Sequence, residues 1–127
     1  MTHLIEEQSK QHHFSKFELD FIEHFNQFGM SVFEVAVRRG LWKKERRMGE
    51  AFCLIHSELS KAFEALRKEN PPNSKLPDLS EVEVSLADVI IRIMDIASKK
   101  GFRVGEALIR KHHIDKTTTK TERHFEL

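Results

Sequence analysis

Glu58 and Asp88 are carboxylates set inside apolar helical patterns, and what they hold decides whether the chain carries chemistry. Side chains three apart on a helix project from one face, so position 61 reinforces Glu58 and position 85 reinforces Asp88. If the two helices pack antiparallel, these four positions face one another. Oxygen ligands there would make a hard-cation site of the kind Mg²⁺ prefers, with waters left to exchange for substrate phosphates. This chain places Lys61 and Ser85 at the two reinforcing positions. The Lys61 ammonium can neutralise Glu58 and Asp88 directly, as a salt-bridged remnant of a metal site, or swing aside to contact a phosphate. One or two carboxylates still serve magnesium when phosphates supply other oxygens. By periodicity alone Glu58 and Lys61 form an ordinary helix pair worth about 0.2–0.5 kcal/mol, and Asp88, Arg92 and Asp95 the solvent strip of their helix.

Trp42 stands beside a basic cluster, Lys43, Lys44, Arg46 and Arg47. Such a segment is either a solvated basic turn or an anion-facing rim, where the cations meet phosphate oxygens and Trp42 stacks on a base. His12 and His13 are adjacent, and neighbouring side chains diverge by about 100° on a helix, which makes joint metal ligation awkward. His56 falls at the edge of an apolar stripe and is expected to be packed, and Cys53 is expected to be structural.

The elements that position these residues are helices. Apolar residues from Phe17 to Val37 recur at three-and-four spacing, a first amphipathic helix with a phenylalanine stripe as core, stopped by Gly40. Gly29 in its middle marks a bend or a close helix contact. A second helix runs from about Gly49 to Asn70, where Pro71-Pro72 forbids continuation. Its wheel groups Phe52, Ile55, Leu59, Ala62, Phe63 and Leu66 on one stripe, with Ala51, Leu54 and Ala65 beside it and Glu58 among them. A carboxylate in that company must be paired, protonated or bound to a cation. After the linker Pro71 to Asp78, Ser80 caps a third helix with Glu81 and Glu83 in its first turn. That helix is apolar nearly all round, apart from a strip of Glu81, Ser85, Asp88, Arg92, Asp95 and Lys99. Gly101 stops it. A fourth helix, Val104 to Ile114, turns Val104, Leu108 and Ile109 inward. The expected organisation is a loose lead-in over 1–15, one helical domain over 16–115 and a flexible tail over 116–127.

Composition narrows the function classes. Lys and Arg number 21 against 20 Asp and Glu, a formal charge of +1, so no global field recruits a nucleic-acid polymer or an anionic membrane. No apolar run approaches the roughly 20 residues that span a bilayer. A single cysteine and no leader pattern suggest a cytoplasmic protein.

Four blocks carry a resemblance: Gly40-Leu41-Trp42, Leu54 to Ala65 (with Glu58-Leu59-Ser60-Lys61), Leu86 to Ala97 (with Leu86-Ala87-Asp88), and Ala107 to Lys111. In their order and spacing, over residues 40 to 111, the chain resembles the MazG-like all-α nucleoside triphosphate pyrophosphohydrolases. The resemblance implies an all-α, antiparallel bundle of four main helices that cleaves nucleoside triphosphates to monophosphate and pyrophosphate with Mg²⁺ or Mn²⁺. It implies Glu58 and Asp88 as catalytic metal ligands and Lys111 toward the substrate, where the basic rim of Arg46 and Arg47 with Trp42, and Lys61, would join it on the residue reading above. It also implies a homo-oligomer, dimer or tetramer, which agrees with a third helix too apolar for a lone bundle to cover. The family pattern is Glu-x-x-Glu followed by Glu-x-x-Asp, so Lys61 and Ser85 replace two of four ligands. Lys111 matches, whereas Asp115 stands for Asn and Thr118 for Arg. The alternative is a catalytically weak or silent homologue that binds nucleotide or a protein partner.

Overall fold

The computed structural model describes residues 13–43, 45 and 47–118. Its helices are α1 (Lys16–Arg38), α2 (Met48–Arg67), α3 (Glu81–Lys100) and α4 (Val104–Thr117). The described residues contain no strand beyond one isolated antiparallel bridge, Pro72 with Ser80, so the fold is all-α as expected. No described helix is long and apolar enough to cross a membrane.

Local signals set the helix ends. Ahead of α1, the Ser15 hydroxyl accepts from the Glu18 amide at 3.1 Å while the Ser15 amide donates to the Glu18 carboxylate at 2.9 Å. This reciprocal cap satisfies donors that a helix N-terminus leaves open. Ser80 and Glu83 repeat it at the start of α3. In both boxes the serine backbone N–H, with its hydroxyl, stabilises the ionised glutamate and lowers its pKa; at Glu18 the His113 ring adds to this. Gly101 closes α3 in the left-handed conformation, φ 71°, where a side chain would be strained. α4 continues past the expected end at Ile114, because the Thr117 and Thr118 hydroxyls donate to the Ile114 carbonyl at 2.9 and 2.8 Å.

The chain forms two compact units. One takes its residues from Gly29–Phe102, the other from Met1–Phe28 and Arg103–Leu127. In the first, α2 and α3 are the helices in extensive contact, and they form an antiparallel hairpin. Glu58 meets Arg92 in its middle, while the Asn70 side chain accepts from the Val82 amide near its closed end. The linker is organised rather than loose. Asn73 accepts from the amides of Lys75 and Leu76 and donates to Glu81 at 2.8 Å, and the Glu81 amide donates to the Pro71 carbonyl. Glu69 and Asn70, both left-handed, turn the chain out of α2. In the same unit Gly29 marks a close approach, since a methyl there would meet Ser98 Oγ at 3.0 Å and Met94 Cβ at 3.8 Å.

In the second unit α4 runs antiparallel to the start of α1. A methyl on Gly105 would meet Phe25 Cδ1 at 3.1 Å, and His113 Nε2 lies 2.5 Å from Glu18 Oε2. Ile22 is fully buried here.

The burial pattern corrects the wheel. α2 turns Ala51, Glu58 and Ala62 inward, while Phe52, Leu59, Phe63 and Leu66 stay 50 to 64% exposed. Small residues let two helix backbones approach closely, so the alanine face, not the bulky stripe, meets α3. On α3 the expected solvent strip supplies the buried Ser85 and Asp95, whereas Leu86, Ile90 and Ile91 are exposed. The phenylalanine stripe of α1 is likewise open at Phe17 and Phe28.

Candidate functional site

Because α2 presents its alanine face, Glu58 is carried into the hairpin with its side chain 9% exposed. Its Oε1 accepts from Lys61 Nζ at 3.3 Å and from Arg92 Nη2 at 3.2 Å. A carboxylate taken from water alone would lose several kcal/mol of solvation, and two cations offset that loss. The two are unequal. Lys61 is 65% exposed and joins from one turn along the same helix, whereas Arg92 is 33% exposed and reaches across from α3. The guanidinium is the better-placed partner, being planar, always charged and more weakly hydrated.

The rest of the α3 strip is also in use. Asp95 is buried and accepts the Trp42 indole N–H at 2.9 Å. The Trp42 ring lies 6.4 Å from Phe33, and Lys99 Nζ stands 5.5 Å over it, a cation–π contact. Trp42 therefore fastens the turn after α1 to α3. Asp88 is half-buried and has no hydrogen bond or ion pair among the described residues. It opens into a recess of about 160 Å³ between α1 and α3, which Arg39, Arg92 and Asp95 also line above apolar walls that include Val32 and Ile91.

These positions are not a four-carboxylate set. Two of the four facing positions are Lys61 and Ser85, and Glu58 already carries two cationic donors on one oxygen. No three His, Cys, Asp or Glu side chains gather into one cluster among the described residues.

The other expected site residues are dispersed. Arg47 is the exposed cap residue of α2 and makes no side-chain cap bond. Arg46, Lys44 and His12 lie outside the described residues. Lys111 belongs to the second unit, where it bonds Asp115 Oδ1 at 2.6 Å and lines a shallow surface with Arg103 and Arg110. His56 and Cys53 are exposed rather than packed, since they share the outer side of α2 with the bulky stripe.

Two features went unforeseen. Arg92 had the signal, lying one turn beyond Asp88, but its partner Glu58 is 34 residues away. Glu106, buried on α4, meets Arg103 at 3.2 Å and Arg110 at 3.9 Å, a spacing visible in the sequence once the helix start is known. Comparison with protein-family models, curated proteins and solved structures finds no match to this chain, leaving its residues and their geometry to carry the functional reading.

Proposed function

We propose that this chain is a MazG-like helical protein that binds nucleotide, its nucleoside triphosphate pyrophosphohydrolase activity being weak or lost. The observation that carries the reading is the double salt bridge on Glu58. Where the family would hold magnesium between carboxylates, Arg92 and Lys61 supply the positive charge from the chain itself. Exchanging a carboxylate for Lys61 moves local charge by two units, which favours a phosphate over a metal ion. Lys61 is 65% exposed and can leave Glu58 for a phosphate while Arg92 keeps the buried carboxylate paired.

The arrangement we propose is an antiparallel bundle of four helices completed by a second copy of the chain, as a dimer or a tetramer. Its support is the bulky stripe of Phe52, Leu59, Phe63 and Leu66 and the exposed Leu86 and Ile90. Exposed bulky apolar side chains of this kind are what a homodimer interface covers.

The test is pyrophosphate release from a panel of nucleoside triphosphates with Mg²⁺ or Mn²⁺, run beside equilibrium binding of the same nucleotides. Binding without release is expected. Metal-dependent monophosphate production that Asp88→Ala abolishes would establish the hydrolase instead. The paired replacement Lys61→Glu with Ser85→Glu should move the chain toward metal-dependent turnover if the ligands alone were lost.

A further inference from the structure

The recess between α1 and α3 shares Arg92 with the double salt bridge on Glu58, but its chemistry differs from that of a phosphate site. Two guanidinium groups, Arg39 and Arg92, and two carboxylates, Asp88 and Asp95, line it, so its formal charge cancels. A polyphosphate gains little from such a lining. A neutral ring with donors on one edge and acceptors on another gains more.

The four charged groups are not equally available. Arg92 is held by Glu58, and Asp95 by Trp42. The side chains of Asp88 and Arg39 make no hydrogen bond or ion pair among the described residues, so they are the groups with capacity for a ligand. The walls supply apolar contact for the faces of a ring. A volume of about 160 Å³ is below the roughly 300–1,000 Å³ of pockets for drug-sized ligands. It has room for a base and not for a whole triphosphate.

We propose that this recess binds the base of a guanine nucleotide, with Asp88 and Arg39 reading its two edges; the inference rests on the nucleotide reading above. Guanine presents its ring N1–H beside its exocyclic amino group, two parallel donors suited to the two oxygens of one carboxylate. Its O6 and N7 acceptors suit a guanidinium. Adenine and cytosine each place a ring acceptor next to the amino donor, so one oxygen of Asp88 would face a lone pair. Uracil offers one N–H between two carbonyls. The discrimination is therefore made at the carboxylate.

The chain carries its own reporter. It has one tryptophan and no tyrosine, and Trp42 is bonded to Asp95 in the lining of the recess. The experiment is a titration of the full chain with guanosine, adenosine, cytidine and uridine, followed by Trp42 emission, with guanosine and adenosine triphosphates as a separate arm. Saturable guanosine binding is expected, about tenfold or more tighter than the other nucleosides, as hydrogen bonds to a charged group allow. Asp88→Asn, nearly isosteric, should erase most of that preference, Arg39→Gln should weaken guanosine, and Glu64→Gln on the outer side of α2 should change neither. Circular dichroism of each variant separates lost binding from lost folding. Equal affinity for all four nucleosides, or guanosine binding indifferent to Asp88→Asn, overturns the assignment and leaves nucleotide binding intact. Triphosphates that bind while no nucleoside does overturn it in the same way. If neither nucleosides nor triphosphates bind, the nucleotide reading falls with it.

Discussion

Glu58 sits in the α2–α3 hairpin with Lys61 from its own helix and Arg92 from the facing one. Glu106 is equally buried in the other unit, and Arg103 and Arg110, both from the α4 segment, reach it at 3.2 and 3.9 Å. Each carboxylate thus meets two cations, but the pairs constrain different things. A pair within one helix forms whenever that helix forms and says nothing about its neighbours. A pair across two helices forms only in the right register, so sliding α2 against α3 by one turn would strand Glu58 without its guanidinium. The lesson is that burial of a charge is informative about architecture only when its partner comes from elsewhere in the chain.

The largest effect that would test this contrast is expected from Arg92→Met. It removes the inter-helix partner and leaves Glu58 in the hairpin with a mostly solvated lysine, at a cost of about 2–3 kcal/mol. Urea denaturation measures it, and Glu58→Gln combined with Arg92→Met should recover part of the loss. A smaller cost, about 1 kcal/mol, is expected from Ser80→Ala, which removes the cap that begins the facing helix. Thermal melting would show it as a lowered midpoint.

Acid should weaken both units through their matching caps. The folded pKa values of Glu18 and Glu83 are lowered, first by the backbone N–H of Ser15 and of Ser80. Their contribution is therefore complete above the ordinary glutamate range near pH ~4.3 and is lost as pH falls through the lowered values. Denaturation midpoints followed from neutral pH to about pH 3 should fall less steeply for Glu18→Gln and Glu83→Gln than for the parent chain. The smallest effects belong to Lys61→Met and Arg110→Met, about 0.5 kcal/mol or less each, because Lys61 is 65% and Arg110 45% exposed and each carboxylate keeps a second cation. A Lys61→Met cost equal to that of Arg92→Met would erase the distinction between local and inter-helix pairs.

The same distinction explains how far the sequence could be followed. Helix limits come from short-range chemistry, and Gly40, Ser80 and Gly101 act where the spacing predicts, whereas α2 ends at Arg67 rather than at Asn70, because Glu69 and Asn70 turn left-handed ahead of the two prolines. The end of α4 was missed because two threonine hydroxyls extend it, a side-chain rescue that propensity does not carry. The helix faces were harder. α2 has both a bulky apolar stripe and an alanine face, and periodicity marks both as apolar without saying which one a neighbour will press against. Glu58 among alanines was legible as a paired carboxylate. That Arg92 would be its partner required knowing the hairpin register, and that Asp95 would hold Trp42 required a contact 53 residues long. Lys61 was legible from spacing alone, being local.

The division of the chain into units carries a consequence for the order of assembly. Gly29–Phe102 is one continuous stretch, whereas the other unit joins Met1–Phe28 to Arg103–Leu127. During synthesis the continuous unit can close as soon as α3 has left the ribosome, its hairpin needing only the short Pro71 to Asp78 link to fold back. The first half of α1 must wait for α4, which is made after the hairpin is complete. Its apolar side chains, Phe21 and Phe25 among them, then find their cover later than those of the hairpin, which leaves the first half of α1 open to chaperones and proteases for longer in the newborn chain.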